Sequence, residues 1–232
     1  GLTPRVDQIG TVFGLPPAER PLLIGSHSDT QPEGGWLDGA LGVIVGLEIA
    51  RAAHEDNGPP IAVVSFQDEE GRFGALTGSE GWSGALAMAD ALTLCDVNGT
   101  SLKEASGAFA ALAGSAPAPQ DFSGFFELHI EQGPVLDQAG ETIGVVSDIV
   151  GSRQMTVTVT GGQNKAGAPP QGRRREGGQG FDAIAAAQPH AFANTVTPST
   201  VWTLGRLEVH PNAPSIVPGR AQFTVQWRDP ND

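Results

Sequence analysis

The chain has little that would tie it to an oxidising compartment, a membrane or a polyanion. Its 232 residues include one cysteine, Cys95, so no internal disulfide can form and a reducing cytosol suits it. Cys95 ends the run Ala91-Leu92-Thr93-Leu94-Cys95 with no histidine near it in sequence. It reads as a small buried side chain rather than a nucleophile. No apolar run approaches the roughly 18 residues that span a bilayer, and no charged-then-apolar leader opens the sequence. Basic residues number 13 against 26 acidic ones, for a net charge of −13. That balance repels phosphate backbones and argues against nucleic acid as a partner. The one basic cluster, Arg173-Arg174-Arg175, reads as solvated surface.

What is present suits a folded chain. Apolar residues make up 39% and charged residues 17%, a globular composition rather than a disordered one. The 32 glycines and 18 prolines imply many turns, without the Gly-X-Y period of collagen. The length fits one large domain or two modest ones.

Apolar runs at 21–26, 61–66 and 125–130 read as buried strands. Residues 38–54, with Leu41, Ile44, Val45, Leu47 and Ala52 near helical spacing, read as a helix that Asp38 caps. Strand, helix, strand predicts an α/β fold with a mostly parallel sheet. Residues 77–123 read as short helices and loops. Further on, Met155, Val157 and Val159 alternate with Thr156, Thr158 and Thr160, as a half-exposed strand does. Residues 181–193 read as a helix, and 202–209 and 220–227 as strands. The expected architecture is a mostly parallel catalytic domain over 1–148 and a smaller α+β domain over 149–232.

Polar residues gather where the three buried strands end. His27 and Asp29 follow the first, Asp68, Glu69 and Glu70 the second, and Glu127, His129, Glu131 and Gln132 close the third. In an open α/β sheet, ligands bind beyond the carboxyl ends of the strands, so these groups would converge. Imidazole and carboxylate together take zinc, manganese, cobalt or nickel. Asp29 can accept the second ring N–H of His27. Of the adjacent Glu69 and Glu70, one can bind an ion while the other moves a proton of the attacking water. Each group has a plain alternative: a surface pair for His27 and Asp29, a solvated turn for 68–70, a satisfied core histidine for His129. Their joint occurrence at three strand ends outweighs those.

Four segments then carry a resemblance: GSHSDTQPEGGWLDGALGVIVGLE, FQDEEGRFG, ELHIEQGPVLDQAGETIGVV and PNAPSIVPGR. They resemble the amidase, hydantoinase and carbamoylase family of the zinc aminoacylase and carboxypeptidase superfamily, along nearly the whole chain. Members include N-carbamoyl-L-amino acid hydrolases, allantoate amidohydrolases and β-ureidopropionases. The resemblance implies two divalent metal ions. His27, Asp38 and His129 would hold one, with Asp38 bridging to a second bound by Glu70. Glu69 would be the general base and Asp29 the partner of His27. Gln132 would meet the ureido or amide group, and Arg228 would pair with the substrate carboxylate through its guanidinium fork. A homodimer built through the smaller domain is implied as well.

The sequence departs from that pattern in places. The family's second metal takes its last ligand from a histidine in a Gly-rich C-terminal segment, and its members carry a helical stretch before the point matching Gly1. Neither stretch is among these residues, so the chain is expected to represent an incomplete catalytic domain, which leaves open a single bound ion. Lys165 stands where the family has a histidine that stabilises an oxyanion, and a lysine can also donate there. Ser215 stands where an asparagine usually contacts substrate, and Gln226 replaces an acidic residue. Three expectations follow: an amidohydrolase of carbamoyl or ureido bonds, an aminopeptidase or aminoacylase on the same scaffold, or a truncated relative without catalysis.

Overall fold

The computed structural model describes residues 1–168, 170–193, 197 and 200–229. It divides into two units, Gly1–Thr142 and Ile143–Asp232.

The first unit begins with a hairpin that the sequence reading did not assign, β1 (Thr3–Val6) and β2 (Val12–Leu15). Its turn is built by Asp7, whose Oδ1 accepts from the backbone N–H of Ile9, Gly10 and Thr11 at 2.9, 2.8 and 2.9 Å. No two-residue Asn-Gly signal marks this turn, so hairpin rules pass over it. The remaining strands are β3 (Leu22–His27), β4 (Ile61–Phe66) and β5 (Gly124–Phe126), with helix α1 (Ala40–Glu55) between β3 and β4. The sheet order is β1-β2-β4-β3-β5. β3 is parallel to β4 and β5, and β2 is antiparallel to β1 and β4. Four of the five strands therefore point the same way. The register runs from Leu22 opposite Ile61 to His27 opposite Phe66, which brings the ends of β3 and β4 side by side.

β3 and β4 are apolar over most of their length because both faces are covered. On one face Ile24, Ile61 and Val63 pack with Ala50 of α1. On the other, Leu23, Ala62, Val64 and Phe66 pack with Phe13, Phe122 and Trp82. α1 lies close on β3 because it carries glycines there. A Cβ at residue 42 would fall 2.3 Å from the Leu128 carbonyl oxygen, and one at residue 46 would fall 3.1 Å from that of Ile24.

Three local expectations change. Gly39, at φ 71°, occupies the N-cap of α1 with no side-chain cap. Asp38 is turned instead towards His129 and Gln132, so distant partners override its local capping preference. The third strand stops at Phe126, whose last ladder partner is Ile24. Beyond it Glu127 accepts from the Ser26 hydroxyl, and the chain leaves the ladder. Cys95 is exposed, since Ala91 and Leu102 fill the local core with Ile9. That core lies among the short helices α2 (Thr77–Ser83), α3 (Met88–Ala91) and α4 (Leu102–Ser106). A further short helix, α5 (Val135–Ala139), follows β5.

The second unit contains β6 (Gly151–Thr160), β7 (Asn164–Lys165), α6 (Gly177–Ala193), β8 (Val201–His210), β9 (Ile216–Val217) and β10 (Arg220–Asp229). β10 is the centre of an antiparallel sheet ordered β6-β10-β8, and β7 pairs with β9. Ala221, Phe223 and Val225 alternate into the interior. Phe181 of α6 meets Phe223 edge-on at 5.0 Å, and Phe192 stacks on Trp202. Among the described residues, no helix is long and apolar enough to cross a membrane.

Candidate metal centre

β3 delivers Ser26 and His27 buried at its carboxyl end. The loop after it then doubles back so that Asp38 arrives beside His27. Gly39 makes that approach feasible: a Cβ there would fall 2.4 Å from three atoms of the His27 ring, and its φ of 71° is one that side-chain-bearing residues rarely adopt. Asp38 is 3% exposed. Its Oδ1 lies 2.7 Å from His129 Nε2, and its Oδ2 accepts from the Gln132 amide. Gln132 holds a left-handed φ of 57°, a strained conformation of the kind that clusters at functional sites.

One ligand atom from each of His27, Asp38 and His129 lies within 4.8 Å of the others. The donor set fits a divalent cation. Asp38 Oδ1 is buried and has no aligned hydrogen-bond donor, despite its closeness to His129. Both imidazoles have Nδ1 tied to a main-chain carbonyl, His27 to Asp29 at 2.9 Å and His129 to Ile130 at 2.7 Å. Nδ1–H donation to those carbonyls leaves each Nε2 with a lone pair for an ion.

Asp29 links the loops after β3 and β4. Its Oδ2 accepts from the Glu70 N–H at 2.9 Å, while its Oδ1 stands 3.5 Å from His27 Nδ1. The nearer acceptor for His27 is thus the Asp29 carbonyl rather than its carboxylate. Glu70 Oε1 lies 3.8 Å from His27 Nε2. Burial pulls the His27 pKa down, but the hydrogen bonds and charge of Asp29, with the charge of Glu70, outweigh it and push it up to about 9. Burial likewise opposes the Asp29 carboxylate, yet the His27 contact and backbone N–H donors hold it below its ordinary value.

Glu69 faces α2. Its Oε1 accepts from the Ser79 N–H at 2.8 Å and its Oε2 from the Ser79 hydroxyl at 2.7 Å. Burial raises its proton affinity against those bonds and the attraction of His27, and the charge of Asp29 adds to the rise. Asp68 plays a different part. Only 1% exposed, it accepts from the N–H groups of Phe73 and Gly74 at 3.0 and 2.9 Å and from the Thr77 hydroxyl at 2.5 Å. It builds the turn that joins β4 to α2. The sequence reading grouped Asp68 with its acidic neighbours and passed over Ser79. An aspartate opening a Gly-containing turn was the available signal for Asp68; Ser79 carried none.

The structure therefore brings His27, Asp29, Asp38, Glu69, Glu70, His129 and Gln132 together in the first unit. In the second unit, Lys165 and Ser215 are neighbours: Lys165 pairs with Ile216, and the Ala166 N–H donates to the Ser215 carbonyl at 2.9 Å. Arg174 braces that ribbon by donating to the Ala166 carbonyl. Arg228 is exposed on β10, opposite Ser152 and Val201.

The chain is similar to known proteins. The model of peptidase family M20/M25/M40 matches residues 23–229. Allantoate amidohydrolase of Escherichia coli (strain K12) is 38% identical over 239 residues, 98% of this chain and 58% of that protein. N-carbamoyl-L-amino-acid amidohydrolase of Paenarthrobacter aurescens is 35% identical over 249 residues, 100% of this chain and 59% of that protein. The crystal structure of an amidase of the hydantoinase/carbamoylase family from Burkholderia vietnamiensis superposes with a TM-score of 0.88 at 36% identity, over 100% of this chain and 58% of that one. The chain thus spans less than two thirds of the length of these relatives. The family match reaches along nearly all of the sequence, and within it the similarity is to the hydantoinase and carbamoylase amidases: the chain belongs to peptidase family M20/M25/M40.

Proposed function

We propose that the protein is a metal-dependent amidohydrolase that cleaves the carbamoyl or ureido C–N bond of a small carboxylate, such as an N-carbamoyl-L-amino acid or allantoate. The observation that carries this reading is the convergence of His27, Asp38 and His129 within 4.8 Å, flanked by Glu69, Glu70 and Gln132. The names of the relatives support the substrate class.

His27, Asp38 and His129 would hold one divalent ion; Glu70, with Asp38 as bridge, would hold a second, and zinc, manganese, cobalt or nickel all suit such donors. When bound, the ions polarise the substrate carbonyl and acidify water. Glu69 takes the proton of the attacking water and passes it to the leaving nitrogen as the C–O bond forms and the C–N bond breaks. Asp29 keeps His27 oriented, and Gln132 meets the ureido group. Arg228 pairs with the substrate carboxylate, Lys165 donates to the developing oxyanion, and Ser215 contacts substrate. The family resemblance supports the Arg228 role and a homodimer formed through the second unit. Lys165 and Ser215 stand where the family has histidine and asparagine and are proposed from their own donor chemistry, and the single cysteine suits a cytosolic setting.

The test is a panel of N-carbamoyl amino acids, allantoate, dipeptides and N-acetyl amino acids, assayed with the metal-loaded protein. Carbamoyl or ureido substrates should be preferred, and a preference for dipeptides would sink the substrate class. Glu69→Gln should retain metal and lose about 10²- to 10⁴-fold in kcat, the usual worth of a positioned base.

A further inference from the structure

We propose that Ser79 is the positioning residue for Glu69, gripping both oxygens of its carboxylate, and that the Asp68 turn serves to bring Ser79 there. This rests on Glu69 acting as the base.

The grip is a two-point one. A glutamate has three rotatable side-chain bonds, and a single hydrogen bond leaves its carboxylate free to turn. Ser79 supplies two donors to two different oxygens, N–H to Oε1 at 2.8 Å and Oγ–H to Oε2 at 2.7 Å. Together they fix the plane of the carboxylate as well as its position, and hydrogen bonds to an ionised acceptor are the strong kind. Ser79 is itself held by the start of α2. The Thr77 N–H donates to the Asp68 carbonyl at 3.0 Å and the Leu76 N–H to the Glu69 carbonyl at 3.4 Å. Asp68 also takes the Thr77 hydroxyl and two loop N–H groups. Gly78 lets the helix settle on the end of β4, because a Cβ there would fall 2.5 and 2.6 Å from the O and N of Gln67.

The neighbouring carboxylate is anchored from the other side. The Glu70 N–H donates to Asp29 on the loop after β3, while Glu69 is held from α2. Two adjacent acids are thus drawn to opposite supports, which is what unlike duties for consecutive residues require. The competing account is that Glu69 merely caps α2 by accepting one of its unpaired first-turn N–H groups. That account assigns no role to the Ser79 hydroxyl in turnover.

The experiment measures kcat, KM, metal content and thermal midpoint for the protein and its Ser79→Ala and Ser79→Thr variants, on the substrate preferred in the panel. Ser79→Ala keeps the N–H and loses the hydroxyl. It should lower kcat by about 10- to 100-fold, the worth of one hydrogen bond to a charged group, with KM and metal content unchanged. Ser79→Thr keeps both donors and should restore kcat. If the alanine variant fails to fold, Ser79→Cys, with its weak S–H donor, takes its place with the same expected loss. Wild-type kcat in Ser79→Ala overturns the proposal. So does a loss in the alanine and threonine variants alike that tracks their thermal midpoints. Failure of the underlying reading shows separately, as a Glu69→Gln variant that still turns over or a protein that turns over nothing in the panel.

Discussion

In Gly1–Thr142 the buried polar groups include Asp7, Ser26, His27, Asp38, Asp68 and Thr77, whereas among the described residues of Ile143–Asp232 Gln188 alone is in that class. Burying acids and imidazoles is costly unless each finds a partner. In the first unit most do: Asp7 and Asp68 close turns, and Ser26 reaches Glu127. Among the atoms left without a hydrogen-bond partner are Asp7 Oδ2, Thr11 Oγ1, Asp29 Oδ1 and Asp38 Oδ1, the last at the point where two imidazoles converge. The second unit keeps Lys165, Ser215 and Arg228 exposed, where a polar side chain costs little and can be exchanged. Under the proposed function, chemistry would lie in the unit whose polar groups are buried and recognition in the unit that leaves them exposed.

The largest expected effect on metal binding comes from disturbing the first unit without touching a proposed ligand. Gly39→Ala would drive a methyl group into the His27 ring. Metal affinity, followed by titration of the chelator-treated protein, should fall by about 10- to 100-fold, as when a ligand loses its orienting contacts. Unchanged affinity would mean the site is looser than the first unit's packing implies.

The largest expected effect on stability comes from a core change in the other unit. Phe223 is 1% exposed and meets Phe181, so Phe223→Ala should cost about 3–5 kcal/mol of stability, read by denaturant or thermal unfolding. Metal affinity should hold. If it falls with stability, the two units do not act separately and the comparison breaks.

The smallest effect is a pH dependence. In metal-free protein His27 titrates near 9 rather than at its ordinary 6.5. Its folded pKa is the higher one, so its contribution to stability is full below pH 6.5 and is lost as the pH rises through about 9. Metal competes with that proton, so metal binding should tighten over the same interval. Melts of apo and metal-loaded protein across it check this. An apo protein whose stability is flat there would show that the Asp29 and Glu70 environment does not hold the proton.

Much of this was legible in the sequence. The buried strands at 21–26 and 61–66 and the helix after Asp38 stand out because a sheet covered on both faces leaves continuous apolar runs. The three polar strand ends follow from chain direction alone. The hairpin of β1 and β2 is missed because its Asp7 turn carries no two-residue signal; three other misses share one cause. Asp38 looks like a cap locally, yet its partners His129 and Gln132 lie more than 90 residues away. The run at 125–130 looks like a full strand, but its ladder with β3 ends at Phe126 opposite Ile24, although β3 itself runs on to His27. Ser79 sits in Thr77-Gly78-Ser79-Glu80-Gly81, which reads as a turn until Glu69 is placed beside it. Long-range pairing leaves no periodicity to read.

The carbonyls of Asp29 and Ile130 that hold the two imidazoles have an evolutionary consequence. A main-chain acceptor is present whatever side chain stands at that position, so substitution at 29 or 130 cannot delete it outright. Drift at those positions can retune the acidity and wetness of the centre while each histidine keeps its tautomer and its aim. The aim of the two imidazoles is in this sense insulated from mutation, whereas Glu70, held by the Asp29 carboxylate, is not.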